Sequence, residues 1–141
     1  MKIIVTGAAG AIGSHLAERL ADLGHEVVGI DSLTNYYSPE IKKIAVKDIQ
    51  KKGVKFHKKD LAEDNIERLV KDIDVVFHLA AQPGISASTP FQEYVKNNIV
   101  ATQKLLEAVK KNKKLKMFFH ASTSSVYGKH AYGDETTETK P

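Results

Sequence analysis

The sequence predicts an α/β fold, a doubly wound parallel sheet of five strands in the order 3-2-1-4-5. Three observations carry this expectation. Short β-branched runs recur along the chain, helical patterns separate them, and the first run leads straight into a turn of regularly spaced glycines. Strands that alternate with helices need right-handed crossovers, and these lay helices on both faces of a parallel sheet. At 141 residues the chain makes one domain with room for a core.

The strand candidates are "KIIVT" (2–6), "EVVGID" (26–31), "VKFH" (54–57), "DVVFHLA" (74–80) and "KMFFHAS" (116–122). Between the first two, residues 11–23 carry Ile12, Leu16, Leu20 and Leu23 as one stripe, which Gly24 closes. The next helix, 39–52, opens on Pro39 and shows Ile41, Ile44, Ala45 and Ile49. A shorter helix covers 63–71, and a long one covers 91–111 through Tyr94, Val95, Ile99, Leu105, Leu106 and Val109. The polar tail 128–141 reads as loop, and no repeat or internal linker divides the chain.

Composition narrows the function. The chain has no cysteine, which excludes a disulfide framework and thiolate metal sites, and no metal-ligand cluster is expected. The net charge of +4 comes from scattered lysines, with Arg19 and Arg68 the two arginines. The one dense run, "KKNKKLK" at 110–116, fits a solvated helix end facing the negative pole of its dipole. A nucleic-acid groove would interleave such a run with aromatics, so no nucleic-acid partner is expected. Lys2 before "IIV" imitates a leader, but the apolar run breaks at Thr6 and Gly7. No segment approaches a membrane span, and the expected location is cytoplasmic.

Gly7, Gly10 and Gly13 sit where the first strand meets its helix. A helix start offers unpaired N–H groups and the positive end of a dipole, a natural place for phosphate. Gly7 suits the tight turn, Gly10 the close approach of a pyrophosphate to the Ala11 and Ile12 N–H groups, and Gly13 the packing of the helix. Asp31, ending the second strand, is placed to accept both hydroxyls of an adenosine ribose. The order strand, glycines, helix, strand, acid is that of a Rossmann-type dinucleotide site. Asp31 would repel a 2′-phosphate and no arginine lies near it in sequence, so the expected cofactor is NAD.

The spacing in "TGAAGAIGSHLAERL" is G-x-x-G-x-x-G, and with it the chain resembles the extended short-chain dehydrogenase/reductases. "GIDSLTNYYSP", "DVVFHLAAQPG", "EYVKNNIVATQKLLEA" and "FFHASTSSVYG" agree in order and spacing with the nucleotide-sugar epimerase and dehydratase branch. "DSLTNYYSPEIKK" and "HLAAQPGISASTP" look most like UDP-glucuronate and related UDP-sugar 4-epimerases. The resemblance implies that Asp60 and Leu61 contact adenine, although Asp60 also suits a turn or cap before 63–71. It implies that Leu79, Ala80, Ala81 and Gln82 pass the riboses and phosphates, that Asn98 orders the site, and that Ser122 joins the cofactor set. His78 reads as a packed strand-end residue. Ala101 stands where the family often has glycine. Ser88 either lies near the sugar diphosphate or is a plain loop serine ahead of Thr89 and Pro90.

The same resemblance makes Thr123 the catalytic hydroxyl, hydrogen-bonded to the sugar oxygen that is oxidised. Related dehydratases carry Asp-Glu after that threonine, where this chain has Ser124 and Ser125, and the decarboxylase glutamate is absent as well. Epimerase remains as the implied activity, with a UDP-hexose or UDP-hexuronate as partner. The family's base is a tyrosine in Y-x-x-x-K, and none of the five tyrosines here has lysine four residues on. The expectation is therefore a partial NAD-binding domain, 1–141, ending before a sixth strand and a substrate domain and inactive alone. Self-association through 91–111 or the edge strand 116–122 would cover what that leaves exposed. The alternatives are a non-catalytic NAD-binding module or part of a related dehydratase or decarboxylase.

Overall fold

A computed structural model of the chain describes residues 1–36, 38–84, 87–123 and 126–127. Five parallel strands form one sheet: β1 (Lys2–Thr6), β2 (Glu26–Asp31), β3 (Lys55–Lys58), β4 (Val75–His78) and β5 (Met117–His120), in the order 3-2-1-4-5. The register sets Ile3 between Val27 and Val75, so β1 is paired on both sides. Each strand of this kind is buried on both faces, which is why the runs are continuously apolar rather than alternating.

Period two divides the core between the faces. Ile3 and Val5 point to one side, where α1 (Ala11–Asp22) brings Ala17 and Leu20 and α2 (Pro39–Lys51) brings Ile49. Ile4 points to the other, against Val70 of α3 (Glu67–Val70) and Leu105 and Val109 of α5 (Ala101–Lys110). Each large side chain so enclosed contributes about 1.5–3 kcal/mol of burial. The third of the expected helices is shorter than 63–71 because residues 60–64 form a turn closed by Asp60 and Asp64. The strands beginning at 74 and 116 also end early, β4 at His78 and β5 at His120, and this frees residues 79–82 and 121–123 to leave the sheet as loops.

The helix stripes depart from expectation in three places. Along α1 the two ends of the stripe, Ile12 and Leu23, are exposed, and Ala17 and Leu20 carry the packing. In α2, Ile41 and Ile44 are 66% and 60% exposed while Lys42 is 7% exposed. The α2 face that meets the sheet is the one bearing Ile49, and Lys42, seven residues earlier, shares it. The long helix is also not uniform. It runs as α4 (Phe91–Tyr94), a π-helical stretch (Val95–Val100) and then α5. The π turn holds more residues per revolution and shifts the phase of the helix beyond it. Leu105 and Val109 thus enter the core while Ile99 and Leu106 stay exposed. Among the described residues no helix is long and apolar enough to cross a membrane.

Candidate functional site

The carboxyl ends of β1, β2 and β4 meet at one edge, and the site is built there from backbone outward. Gly7 follows β1 with φ +70°, and a Cβ on it would stand 2.9 Å from the Ala80 nitrogen. Any other residue would be strained by its backbone and would push the 79–82 loop away. The Gly10 N–H donates to the Gly7 carbonyl at 3.0 Å, and a Cβ on Gly13 would lie 2.1 Å from that same oxygen. The third glycine thus closes the helix onto the turn itself.

α1 starts at Ala11 with Gly10 as its cap, which has no side chain to bond the first N–H groups, and with no acid in its first turn. Ala11 and Ile12 are exposed there. A positive, uncapped helix end above a glycine turn is a site for an anion such as a pyrophosphate. Asp31 lies beside it at the end of β2, 8% exposed. Its Oδ2 accepts the Ala9 N–H at 3.1 Å and its Oδ1 the Leu33 N–H at 2.8 Å. Leu33 itself adopts φ 58°, which bends the chain back over the carboxylate. The Lys42 ammonium stands 3.9 Å from Asp31 Oδ1 and 3.4 Å from the Thr34 hydroxyl. This is the cation that sequence proximity did not show. Lys42 lies eleven residues after Asp31 and is brought back by α2.

The 79–82 loop is held at both ends. Thr6 Oγ1 accepts the N–H groups of Leu79 and Ala80, each at 3.2 Å. Asn98 accepts the Gln82 N–H at 2.7 Å and returns an amide N–H to the Gln82 carbonyl at 3.1 Å. The Gln82 side-chain amide nitrogen, by contrast, is buried without a hydrogen-bond partner. A buried donor left open costs about 1–3 kcal/mol unless something accepts from it. Together with the glycine turn and the uncapped helix, that open donor fits a dinucleotide rich in acceptor oxygens.

Asp60 serves the local fold. Its Oδ1 accepts the Ala62 N–H at 2.8 Å, its backbone N–H donates to Asp64 at 2.8 Å, and its Oδ2 pairs with Lys96 at 3.0 Å. Glu63 shares that ammonium at 2.6 Å, and the two carboxylates raise the Lys96 pKa well above its ordinary value. The turn role thus occupies the Asp60 carboxylate, and the Leu61 side chain lies in the core. Ser122 and Thr123 are exposed just beyond β5, on the edge that carries Asp31 and the 79–82 loop. Ser88 is exposed in a separate turn. Ser124 and Ser125, at the positions where the resemblance puts Asp-Glu in dehydratases, lie outside the described residues.

His78 is the most deeply buried titratable group of the site. Its Nδ1 lies 2.7 Å from Thr6 Oγ1 and its Nε2 2.9 Å from Thr102 Oγ1. Burial, with the nearby His120 ring at 5.2 Å as the lesser cause, lowers its pKa from 6.5 to about 4. The packed strand-end residue expected from sequence is thus also hydrogen-bonded on both nitrogens. Sequence reasoning missed Thr6, Lys42 and Thr102. The signal for Thr6 was a polar residue closing an apolar strand; for Lys42 it was the seven-residue spacing to Ile49.

A dinucleotide-binding α/β domain is what this edge defines. The sequence pattern of the NAD dependent epimerase/dehydratase family matches residues 3–141, and the chain belongs to that family. A relative from Bacillus subtilis (strain 168), the uncharacterized UDP-glucose epimerase YtcB, is 42% identical over 149 residues, covering 100% of this chain and 46% of its own length. UDP-glucuronate 4-epimerase 1 of Arabidopsis thaliana is 37% identical over 135 residues, covering 91% of this chain and 31% of its own length. A crystal structure of a variant UDP-glucuronic acid 4-epimerase from Bacillus cereus, holding UDP-4-deoxy-4-fluoro-glucuronic acid and NAD, superposes with a TM-score of 0.86 at 44% identity. That match covers 96% of this chain and 44% of the other. The chain thus spans less than half the length of these relatives.

The lowered His78 pKa has a consequence for stability. The unfolded chain, with the ring near 6.5, binds a proton that the folded chain refuses until about pH 4. Stability is therefore full above pH 6.5 and declines as the pH falls through this window. Urea denaturation should show a loss of about 2–3 kcal/mol between pH 7 and pH 4.5. A curve that stays flat over that interval would show that His78 accepts its proton in the folded state.

Proposed function

We propose that this chain is the cofactor-binding part of a UDP-sugar 4-epimerase, acting on a UDP-hexose or UDP-hexuronate, with Thr123 as its catalytic hydroxyl. The observation that carries the proposal is the uncapped start of α1 over the glycine turn, with Asp31 beside it and Thr123 on the same sheet edge. NAD, when bound, supplies the reversible hydride acceptor. The chain's own residues bind and orient. Gly7 and Gly10 let the pyrophosphate approach the Ala11 and Ile12 N–H groups, and Asp31 receives the ribose hydroxyls. Lys42 balances the Asp31 charge from the side. Leu79, Ala80, Ala81 and Gln82 form the wall along the cofactor, Asn98 fixes that wall, and Asp60, Leu61 and Ser122 complete its outline. Thr123 hydrogen-bonds the sugar oxygen, with Ser88 toward the diphosphate. A neutral threonine hydroxyl does not take a proton at neutral pH. The 141 residues hold no tyrosine with a lysine four positions on to do so.

Supporting self-association, Phe91, Ile99 and Leu106 of the long helix and Met117 and Phe119 of the edge strand are exposed apolar residues. Light scattering of the chain should read a dimer or larger mass, and a clean monomer would remove this part of the proposal.

The cofactor assignment is tested by calorimetry. Asp31→Ala should weaken NAD binding by about 1–3 kcal/mol, and the parent should prefer NAD to NADP. Unchanged affinity in the variant would refute the role of Asp31. Catalysis is tested separately. The 141-residue chain with NAD and UDP-galactose or UDP-galacturonate should give no epimer above background, since general-base help of roughly 10²–10⁴-fold is missing. Turnover by this chain alone would mean that another group accepts the proton.

A further inference from the structure

Three side chains from separate parts of the fold, Thr6, His78 and Thr102, form a relay of hydrogen bonds that ends on the 79–82 loop, and their bond directions can be assigned by elimination. The Thr102 hydroxyl donates to the backbone carbonyl of Asn98 at 2.8 Å, because a carbonyl only accepts. Its 2.9 Å contact with His78 Nε2 must then be filled by a proton on that nitrogen. Thr6 Oγ1 already accepts two N–H groups, from Leu79 and Ala80, so its own proton goes to His78 Nδ1 at 2.7 Å. The imidazole is the neutral Nε2–H tautomer, acceptor toward β1 and donor toward α5. The Asn98 side chain holds the backbone of Gln82 separately.

We infer that His78 is a positioning residue: by accepting the Thr6 proton it leaves both lone pairs of Thr6 Oγ1 to the Leu79 and Ala80 N–H groups, and so fixes the start of the loop against which NAD lies. Only the last clause rests on the cofactor assignment; the relay is a property of the chain. A doubly protonated ring would present a third donor to Thr6 Oγ1, which has two lone pairs. The groups packed on the imidazole are Thr6, Thr102, Phe118 and His120, of which His120 on β5 is the titratable one. With 1% exposure, His78 has no water to replace a lost partner. The effect of a break at Thr102 therefore passes through His78 to Thr6 and its two loop N–H groups.

Thr102 is the place to test this, since it lies on α5 and bonds to none of the loop amides. In Thr102→Val, amide hydrogen exchange at Leu79 and Ala80 should speed up together by roughly tenfold, the worth of one lost buried hydrogen bond, while Gln82, held by the Asn98 side chain, should exchange as in the parent. The Kd for NAD should rise by a similar factor, and Thr102→Ser should restore both. In the parent chain, nitrogen-15 spectra of the imidazole should show the Nε2–H tautomer at pH 7. A space-filling role for His78 instead leaves loop exchange unchanged in Thr102→Val. That result, or an Nδ1–H or cationic ring in the parent, would overturn the inference. If the parent binds no NAD, the cofactor assignment fails, and the exchange data and the ring spectrum still decide the inference.

Discussion

The site depends on how closely two backbones approach at one edge of the sheet. Gly7 and the Leu79–Ala80 peptide lie so near that a single Cβ would stand 2.9 Å from the Ala80 nitrogen. Because they touch, Thr6 reaches two loop N–H groups with one oxygen. Because Gly7 turns at positive φ, its carbonyl receives the Gly10 N–H and α1 begins with its amides open to solvent. A methyl group at that position would widen the gap and loosen the helix start and the loop together. The adjacent Asp31 carboxylate is held by backbone N–H groups from both sides, so it is oriented before any ligand arrives. Such preorganisation lowers the entropy lost on binding.

Much of this fold was legible in the sequence because the central strands β1, β2 and β4 are buried on both faces. Ile3, Ile4 and Val5 are all core, whichever side they face, so a continuous β-branched run reports the sheet without knowledge of its partners. Helix faces were less legible. A helix turns only part of its surface inward, and α2 has more apolar residues than it has core to fill. Ile41 and Ile44 therefore signalled a stripe that the fold leaves in solvent, while Lys42 took the inner face beside Asp31. The preference there is electrostatic, and hydrophobic periodicity does not register it. The π stretch was hidden for a related reason: it is an irregularity of hydrogen bonding at Val95–Val100, which hydrophobic periodicity does not report.

The site divides in the same way. Gly7, Gly13 and Asp31 could be read from the order of strand, glycines, helix, strand and acid, although Gly7 also meets Ala80 and Asp31 also holds Ala9 across the fold. Asn98 came from the resemblance and is found holding Gln82, sixteen residues away. The His78 contacts were out of reach. Thr6, His78 and Thr102 are separated by 72 and 24 residues, and nothing in any one segment announces that three polar groups will meet in a dry interior. Asp60 shows the opposite case, in which a local reading as a turn residue accounts for the contacts its carboxylate makes.

The π stretch makes the long helix a junction between two reading frames. Asn98 lies within it, facing the loop, and Leu105 and Val109 come after it, facing the core. In an α-helix each residue advances by about 100° around the axis, and a π turn holds about one residue more per revolution. Loss of Ile99 or Val100 would therefore be absorbed by conversion of the π turn to an α turn, with Asn98 still on the loop and Leu105 still in the core. The same loss beyond Val100 meets no such slack and would turn Leu105 and Val109 out of the core, so the tolerance of this helix to a change of length is confined to its π stretch.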